Sequence, residues 1–338
     1  MPALAVADAL RAEAGAHVVF VGGERAEKTL VPEAGYELRT LAVEGLSRTN
    51  PLKAARGAAK AIGALGAARR ILRELRPDAV MGGGGYVAGP VGAVAAARRI
   101  PLVLTEADSH LGLTNRLLAR FARRVCLAFP IAGRDGERYV VTGRPVPPPV
   151  TDRAAARSRF GLAEGETCVL VFGGSLGARS INDAAVEGLA GAPFRVLHAA
   201  GRRDYDALRD RLGDPPPAGY DLQPYITPFG EALAAADLCV ARAGGSIFEV
   251  AAHGRPAILV PYPYAAADHQ TANARWMAEA GAAVVVPDAD VTPQRLRAEV
   301  DALLADPGRL AAMAAASAAL ARPDAARAIA REILEAAA

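Results

Sequence analysis

Residues Thr167–Asn182 read TCVLVFGGSLGARSIN. The opening TCVLVF is an unbroken run of apolar and β-branched residues, the pattern of a strand buried on both faces. A glycine turn, Gly173–Ala178, follows, and Ser180–Leu189 continues at helical spacing. Strand, glycine turn and helix in that order open a βα unit whose main-chain N–H groups are free at the helix start. The unit recurs in both directions. Toward the C-terminus, strands are expected at Arg195–Ala199, Leu238–Ala241, Ala257–Val260 and Ala283–Val286. Helices fall between them, over Thr292–Ala305 and along the Ala-rich C-terminal stretch. Toward the N-terminus, His17–Val21, Asp78–Met81, Pro101–Leu104, Val125–Ala128 and Tyr139–Val141 read as strands. Ala3–Ala14, Pro51–Arg76, Gly89–Arg99 and Leu113–Arg124 read as helices. Such alternation predicts parallel sheets with helices on both faces.

Between the two runs lies GRPVPPPV, Gly143–Val150, whose prolines deny it helix and ladder hydrogen bonds. It is expected to be an interdomain linker. The chain of 338 residues therefore reads as two Rossmann-like α/β domains facing each other across a cleft, 1–146 and 147–320. Residues 321–338 are expected to form a C-terminal helix that packs back on the first domain. Hydrophobic residues at 52% and charged residues at 22% exclude a disordered chain and a small disulfide-stapled module. Cys126, Cys168 and Cys239 sit far apart in apolar runs and read as reduced core thiols. No apolar run reaches the ~18 residues that span a bilayer, and no signal peptide is legible. Residues 1–150 carry 21 Lys and Arg against 13 Asp and Glu, while the remainder carries 18 against 23. A basic half and an acidic half imply different partners. One feature is unusual. The first helix starts at Pro2–Ala3, whereas a doubly wound domain places a central strand and a glycine turn before that helix. The expectation is an N-terminal sheet lacking its first strand and glycine loop, with two unpaired edges, or else a longer native chain.

Six segments could carry chemistry. Gly82–Gly85, at a strand end, permits close approach to an anion, or is a mere turn. The loop Gly173–Arg179 offers main-chain amides and the Ser175 hydroxyl to a diphosphate, or is a tight βα turn. In Arg242–Glu249, Glu249 either completes a capping box with Ser246 or accepts both hydroxyls of a ribose. In Pro261–Asn273, His269, Gln270 and Asn273 suit sugar hydroxyls, or Asp268 simply caps a helix. Thr105–Asn115 holds Glu106, Asp108 and His110, groups capable of general-base work, or forms a capped loop. The helix from Pro51 carries Lys53, Arg56, Lys60, Arg69, Arg70, Arg73 and Arg76 against Glu74. Its apolar residues Leu52, Ile62, Leu65, Ile71 and Leu72 suit an anionic lipid surface, or the core side of a solvated helix. Nucleic acid is disfavoured, because no aromatic residues interleave the basic ones.

Together PALAVADAL, GGGGYVAGPVGAVAA, GLTNRLLA, TGRPV, VFGGSLGARSIN, ARAGGSIFEVAAHGRPAILVPYP and DHQTANA, in that order, resemble the MurG family of N-acetylglucosaminyltransferases. The resemblance implies the GT-B architecture, no metal and no other cofactor. It implies an inverting transfer from UDP-GlcNAc to lipid I, undecaprenyl-diphospho-MurNAc-pentapeptide, at the cytoplasmic face of the cell membrane. On the donor side it implies roles for Ser175, Ile226, Gly245, Ser246, Glu249, His269, Gln270 and Asn273. On the acceptor side it implies Gly83, Gly84, Gly85 and Asn115. Of the residues present, Asp108 is the expected base. Three departures stand out. The family's first strand and glycine loop would lie ahead of residue 1. Its HEQN reads Thr105-Glu106-Ala107-Asp108. Its Arg after TGxPV is Pro147, with Arg144 at the x position. Two other readings compete: a UDP-GlcNAc 2-epimerase, which shares the architecture, and a chain that binds donor but is inactive or dependent on a partner.

Overall fold

The computed structural model describes residues 2–24, 26–41, 51–174 and 177–338, and the side chains of 51–62 and 266 lie outside that description. The chain divides into two compact units, Met1–Val146 with Arg322–Ala338, and Pro147–Ala321.

The first unit begins α1 (Pro2–Ala14), β1 (Val19–Gly22), α2 (Glu27–Glu33), β2 (Glu37–Thr40), α3 (Pro51–Leu75), β3 (Val80–Gly82). It continues α4 (Gly85–Ala97), β4 (Leu102–Glu106), α5 (Leu113–Leu118), β5 (Arg124–Leu127), β6 (Tyr139–Val141). The second unit runs α6 (Arg153–Arg159), β7 (Cys168–Phe172), α7 (Arg179–Leu189), β8 (Arg195–Ala199), α8 (Tyr205–Leu212), β9 (Tyr220–Gln223), α9 (Phe229–Ala235). It closes with β10 (Leu238–Ala241), α10 (Ile247–Ala252), β11 (Ala257–Leu259), α11 (His269–Glu279), β12 (Ala283–Val285), α12 (Pro293–Leu304), α13 (Pro307–Leu320). α14 (Ala325–Ala337) returns to the first unit.

The second unit holds one six-stranded parallel sheet in the order β12-β11-β10-β7-β8-β9. Its central strands β7 and β10 are buried at every residue, as their uninterrupted apolar sequence requires. Ile181, Ala185 and Leu189 of α7 pack with Leu296, Val300 and Leu303 of α12 over one face. Strand order runs one way from β7 to β9 and the other way from β10 to β12. The switch point therefore lies between the carboxyl ends of β7 and β10, where open α/β sheets leave a crevice for ligands.

The first unit holds two parallel sheets, β3-β4-β5-β6 and β1-β2. α14 presents Ile329, Ala330 and Ile333 to Val103 of β4 and Cys126 of β5, in a cluster shared with Val6 and Leu10 of α1. The opposite face is covered by α3 and α4, with Ala68, Ile71, Leu72, Val91 and Val94 against Leu102, Leu104, Val125 and Leu127.

Several elements depart from the sequence expectations for local reasons. β2 reads ELRT and β9 reads YDLQ, too polar to show as apolar runs, because each is an edge strand. α4 starts at Gly85, not Gly89, since Gly89 and Pro90 mask a helix that tertiary packing holds.

Candidate active site

At the switch point of the second unit, two glycine turns leave adjacent strands. Gly173 and Gly174 follow β7, and Ala243–Ser246 follow β10. The first turn closes against β8. A Cβ on Gly177, whose φ is +78°, would lie 2.1 Å from the Ala200 carbonyl oxygen, so no other residue fits there. Beside it Asn182 of α7 donates to the Ala200 carbonyl at 2.9 Å and lies 3.1 Å from His198 Nε2. His198 Nδ1 lies 2.8 Å from the Tyr220 hydroxyl. Burial lowers the His198 pKa from 6.5 to about 3, so the ring is neutral and couples α7 to the two outer strands. Ser175 lies outside the described residues.

Arg242, directly after β10, organises this edge. Its guanidinium donates to Asp288 Oδ1 at 2.6 Å, to the Ser180 hydroxyl at 2.9 Å, and to the Val260 and Pro261 carbonyls at 3.2 Å each. Ser180 also donates to Asp288 at 2.5 Å. One cation thus ties α7, β10, the segment after β11 and the segment after β12. The sequence reading quoted Arg242 but gave it no role. Its only signal was position, a charged residue directly after an apolar strand.

The remaining donor-side expectations fall around that clamp. Gly245 and Ser246 are half-buried in the turn into α10, and Glu249 is half-buried on that helix. Ser246 stands at the N-cap of α10 with helical backbone angles and, among the described residues, makes no side-chain cap hydrogen bond, so its half of the capping box is not formed. Glu249 accepts from His253 Nδ1 through its carbonyl at 2.8 Å, while His253 Nε2 accepts from Val150 N at 3.1 Å. Gln270 accepts from Tyr262 N at 3.0 Å, and its Nε2 lies 3.9 Å from where a Gly244 Cβ would be. Asn273 is buried and donates to the Ala243 carbonyl at 3.0 Å, with its own Oδ1 unpartnered among the described residues. Asp268 is the N-cap residue of α11, but its carboxylate accepts from Thr271 Oγ1 at 2.6 Å and caps no backbone N–H. His269 is half-buried at the start of the same helix. Ile226 is buried after β9, on the outer side of the sheet from β10.

In the first unit, the turn from β3 to α4 carries Gly83, Gly84 and Gly85, with φ +77° at Gly84 and +76° at Gly85. A Cβ on Gly84 would lie 3.7 Å from Asn115 Nδ2. Asn115 is 1% exposed. It donates to Thr105 O and to Glu106 Oε2, both at 2.9 Å, and its Oδ1 has no partner among the described residues. Glu106 also accepts from Gly112 N at 2.8 Å and from Asp108 N at 3.2 Å. The buried Glu106 carboxylate therefore folds the loop 106–112 around itself. Asp108 is placed by that fold, half-buried. Sequence reasoning offered Glu106, Asp108 and His110 as groups capable of general-base work, with Asp108 the expected base. The structure separates them, since three N–H donors occupy Glu106.

Along α3, Ala64, Ala68, Ile71 and Leu72 are core residues, whereas Leu65 and Arg69, Arg70 and Arg73 are exposed. Ile71 and Leu72 thus take the core side that the sequence had offered as the alternative to a lipid surface, because a helix covering a sheet must bury its apolar face. The side chains of Lys53, Arg56, Lys60 and Ile62 lie outside the described residues. Among the described residues, no helix is long and apolar enough to cross a membrane.

Comparison with known proteins gives these sites a family. The glycosyltransferase family 28 N-terminal domain matches residues 1–127, and the glycosyltransferase family 28 C-terminal domain matches residues 168–329. A relative from Moorella thermoacetica is 44% identical over 99% of this chain and 95% of its own length. That relative is named UDP-N-acetylglucosamine--N-acetylmuramyl-(pentapeptide) pyrophosphoryl-undecaprenol N-acetylglucosamine transferase. The crystal structure of Acinetobacter baumannii MurG superposes with a TM-score of 0.80 at 31% identity, covering 99% of this chain and 95% of that one. A UDP-GlcNAc 2-epimerase from Neisseria meningitidis, solved bound to UDP-GlcNAc, superposes at 0.69 but with 14% identity over 99% of this chain and 96% of that one. The epimerase likeness is one of fold alone. With both family domains matched, and close relatives aligned over nearly the whole length, the chain belongs to glycosyltransferase family 28 and, within it, to the MurG family.

Proposed function

We propose that the chain is a UDP-GlcNAc-dependent glycosyltransferase that moves N-acetylglucosamine onto undecaprenyl-diphospho-MurNAc-pentapeptide, converting lipid I to lipid II. The observation that carries this is the 44% identity to a transferase of that name across 99% of the chain. The 2-epimerase alternative has no comparable support.

In the transfer, the acceptor's 4-hydroxyl attacks the anomeric carbon. The bond from that carbon to the UDP oxygen breaks, and the configuration inverts. The hydroxyl proton passes to a base, for which Asp108 is the proposed residue. UDP leaves as an anion, so donors already aimed at its phosphates lower the barrier. Main-chain N–H groups around Gly174 and Gly245 at the switch point are proposed to supply them, with Ser175 joining them as the family resemblance implies. Glu249 is assigned to the ribose hydroxyls, Ile226 to the base, and His269, Gln270 and Asn273 to the sugar. Gly83, Gly84, Gly85 and Asn115 are assigned to the acceptor, and Asn115 Oδ1, which has no partner among the described residues, is suited to accept from an acceptor hydroxyl.

The membrane assignment is peripheral and at the cytoplasmic face, with no role for nucleic acid. On the first unit, Leu113, Leu117 and Phe121 are exposed beside exposed Arg116, Arg120 and Arg123, a combination suited to anionic lipid. The deciding experiment is calorimetry with UDP-GlcNAc on Glu249→Ala, paired with transfer assays on a lipid I analogue. Loss of donor affinity with the fold retained supports the assignment. Unchanged affinity removes Glu249 from the site, and an epimerised nucleotide sugar formed without acceptor would overturn the transferase reading.

A further inference from the structure

One side chain fastens the linker to the second unit. Pro147, Pro148 and Pro149 carry no N–H, so Val150 is the first residue after Val146 that has a main-chain donor to give. That N–H goes to His253 Nε2 at 3.1 Å. Among the described residues, no main-chain group accepts from it. His253 is the C-cap residue of α10, and its Nδ1 lies 2.8 Å from the Glu249 carbonyl. A carbonyl only accepts, so Nδ1 carries the proton and Nε2 offers its lone pair. The two partners thereby hold the ring in one neutral tautomer. α9 closes over the same spot. A Cβ on Gly230 would lie 3.2 Å from Val150 Cγ2 and 3.6 Å from His253 Nε2. The next fixed point along the chain is Asp152, whose carboxylate accepts from Ala155 N at 2.9 Å at the start of α6.

We infer that His253 is an acid-released latch on the interdomain linker: the neutral ring holds Val150 against α10, and protonation at Nε2 frees it. A proton on Nε2 removes the lone pair and sets an N–H against the Val150 N–H. The free stretch then grows from Pro147–Pro149 to Pro147–Thr151. The groups around the ring set the direction. Burial lowers its pKa most and Arg255 lowers it further, while hydrogen bonds to the Glu249 and Gly230 main chain favour the charged form. The ring's charged form thus has the Gly230 main chain as a second place to bond. On α10 itself the one ionisable residue is Glu249, a turn before the ring. Glu231 on α9 is paired with Arg159 at 3.0 Å, and Arg153 on α6 with Asp237 at 2.6 Å. α13 brings Ala314 and Ala318 to Gly254 and has Arg309 as its one ionisable residue. Pro147–Val150 brings none. The folded ring titrates below the free imidazole, so the latch is complete above pH ~6.5 and opens as pH falls through the lowered value. The inference is independent of the transferase reading, since it rests on the linker and the helices around His253.

The test reads the Val150 amide by native-state hydrogen exchange of the whole chain, as protection relative to the unstructured rate at each pH. Val196 of β8, whose amide donates to the Gly219 carbonyl at 2.8 Å, is the reference. Protection at Val150 is expected at pH 7.5 and should fall at least about tenfold by pH 4.5, while that at Val196 is unchanged. His253→Gln, whose amide oxygen accepts but does not titrate, should keep protection at both pH values. His253→Ala should lack it at both. Long-range nitrogen–proton spectra of the unsubstituted chain at pH 7.5 should show a neutral ring protonated on Nδ1, and they carry the test where His253→Ala does not fold. A ring charged at pH 7.5, or protonated on Nε2 there, overturns the inference. So does Val150 protection that is independent of pH or that survives His253→Ala.

Discussion

Arg242 joins four segments at the switch point through one guanidinium. Lysine would keep the charge but lose the planar fork that reaches Asp288, Ser180 and two carbonyls at once. Arg242→Lys is expected to weaken UDP binding about tenfold or more by calorimetry while the far-ultraviolet spectrum is retained. His198 sets a second expectation. Its folded pKa of about 3 lies below the ordinary 6.5, so protons bind the unfolded chain in preference. Its contribution to stability is complete above pH ~6.5 and falls with acidification by up to about 1.4 kcal/mol per pH unit. Urea midpoints between pH 7 and 4 should show that slope, and His198→Gln should be less stable at pH 7 yet flatter in acid. Burial also raises the thiols of Cys126, Cys168 and Cys239 to about 12. All three should resist iodoacetamide at pH 8 in the native protein and react on unfolding. Their reading as reduced core residues came from apolar neighbours alone. The roles of Arg242 and Asn182 could not, because both depend on which strand ends lie side by side.

Among elements, the legible ones were those whose burial is written in their own residues. TCVLVF is a central strand because every position is covered, and ELRT was missed because it is an edge whose side chains meet water. α12 and α13 each begin with a capping side chain followed by Pro, Thr292 accepting from Arg295 N and Asp306 from Arg309 N. Thr292→Ala should cost about 1 kcal/mol in chemical denaturation. α14 is a stronger case. Ile333 packs between α1 and the sheet of the first unit, and Ile333→Ala is expected to cost roughly 2–4 kcal/mol by the same measurement. The glycine turns were found correctly as turns at strand ends. Ser246 does stand at the N-cap of α10, as its position suggested, but its helical backbone angles leave its side chain without a cap hydrogen bond.

Over the whole molecule, the charge asymmetry of the sequence corresponds to a first unit whose exposed arginines flank exposed Leu113, Leu117 and Phe121. Binding to vesicles containing anionic lipid is expected to fall steeply with salt and with Leu117→Glu plus Phe121→Glu, and to be absent on neutral vesicles. Sedimentation with the vesicles measures it. The doubly wound class was legible from alternation, but the switch point was not, since strand order is a property of pairing between distant segments. The first unit is completed by residues 322–338, which are translated only after the entire second unit. On the ribosome, the apolar surface of β4 and β5 that α14 will cover must stay open while about half the polypeptide is still to be made. Release of a nascent chain ending before Arg322 would therefore leave a sticky, half-finished domain, the natural substrate of a holding chaperone.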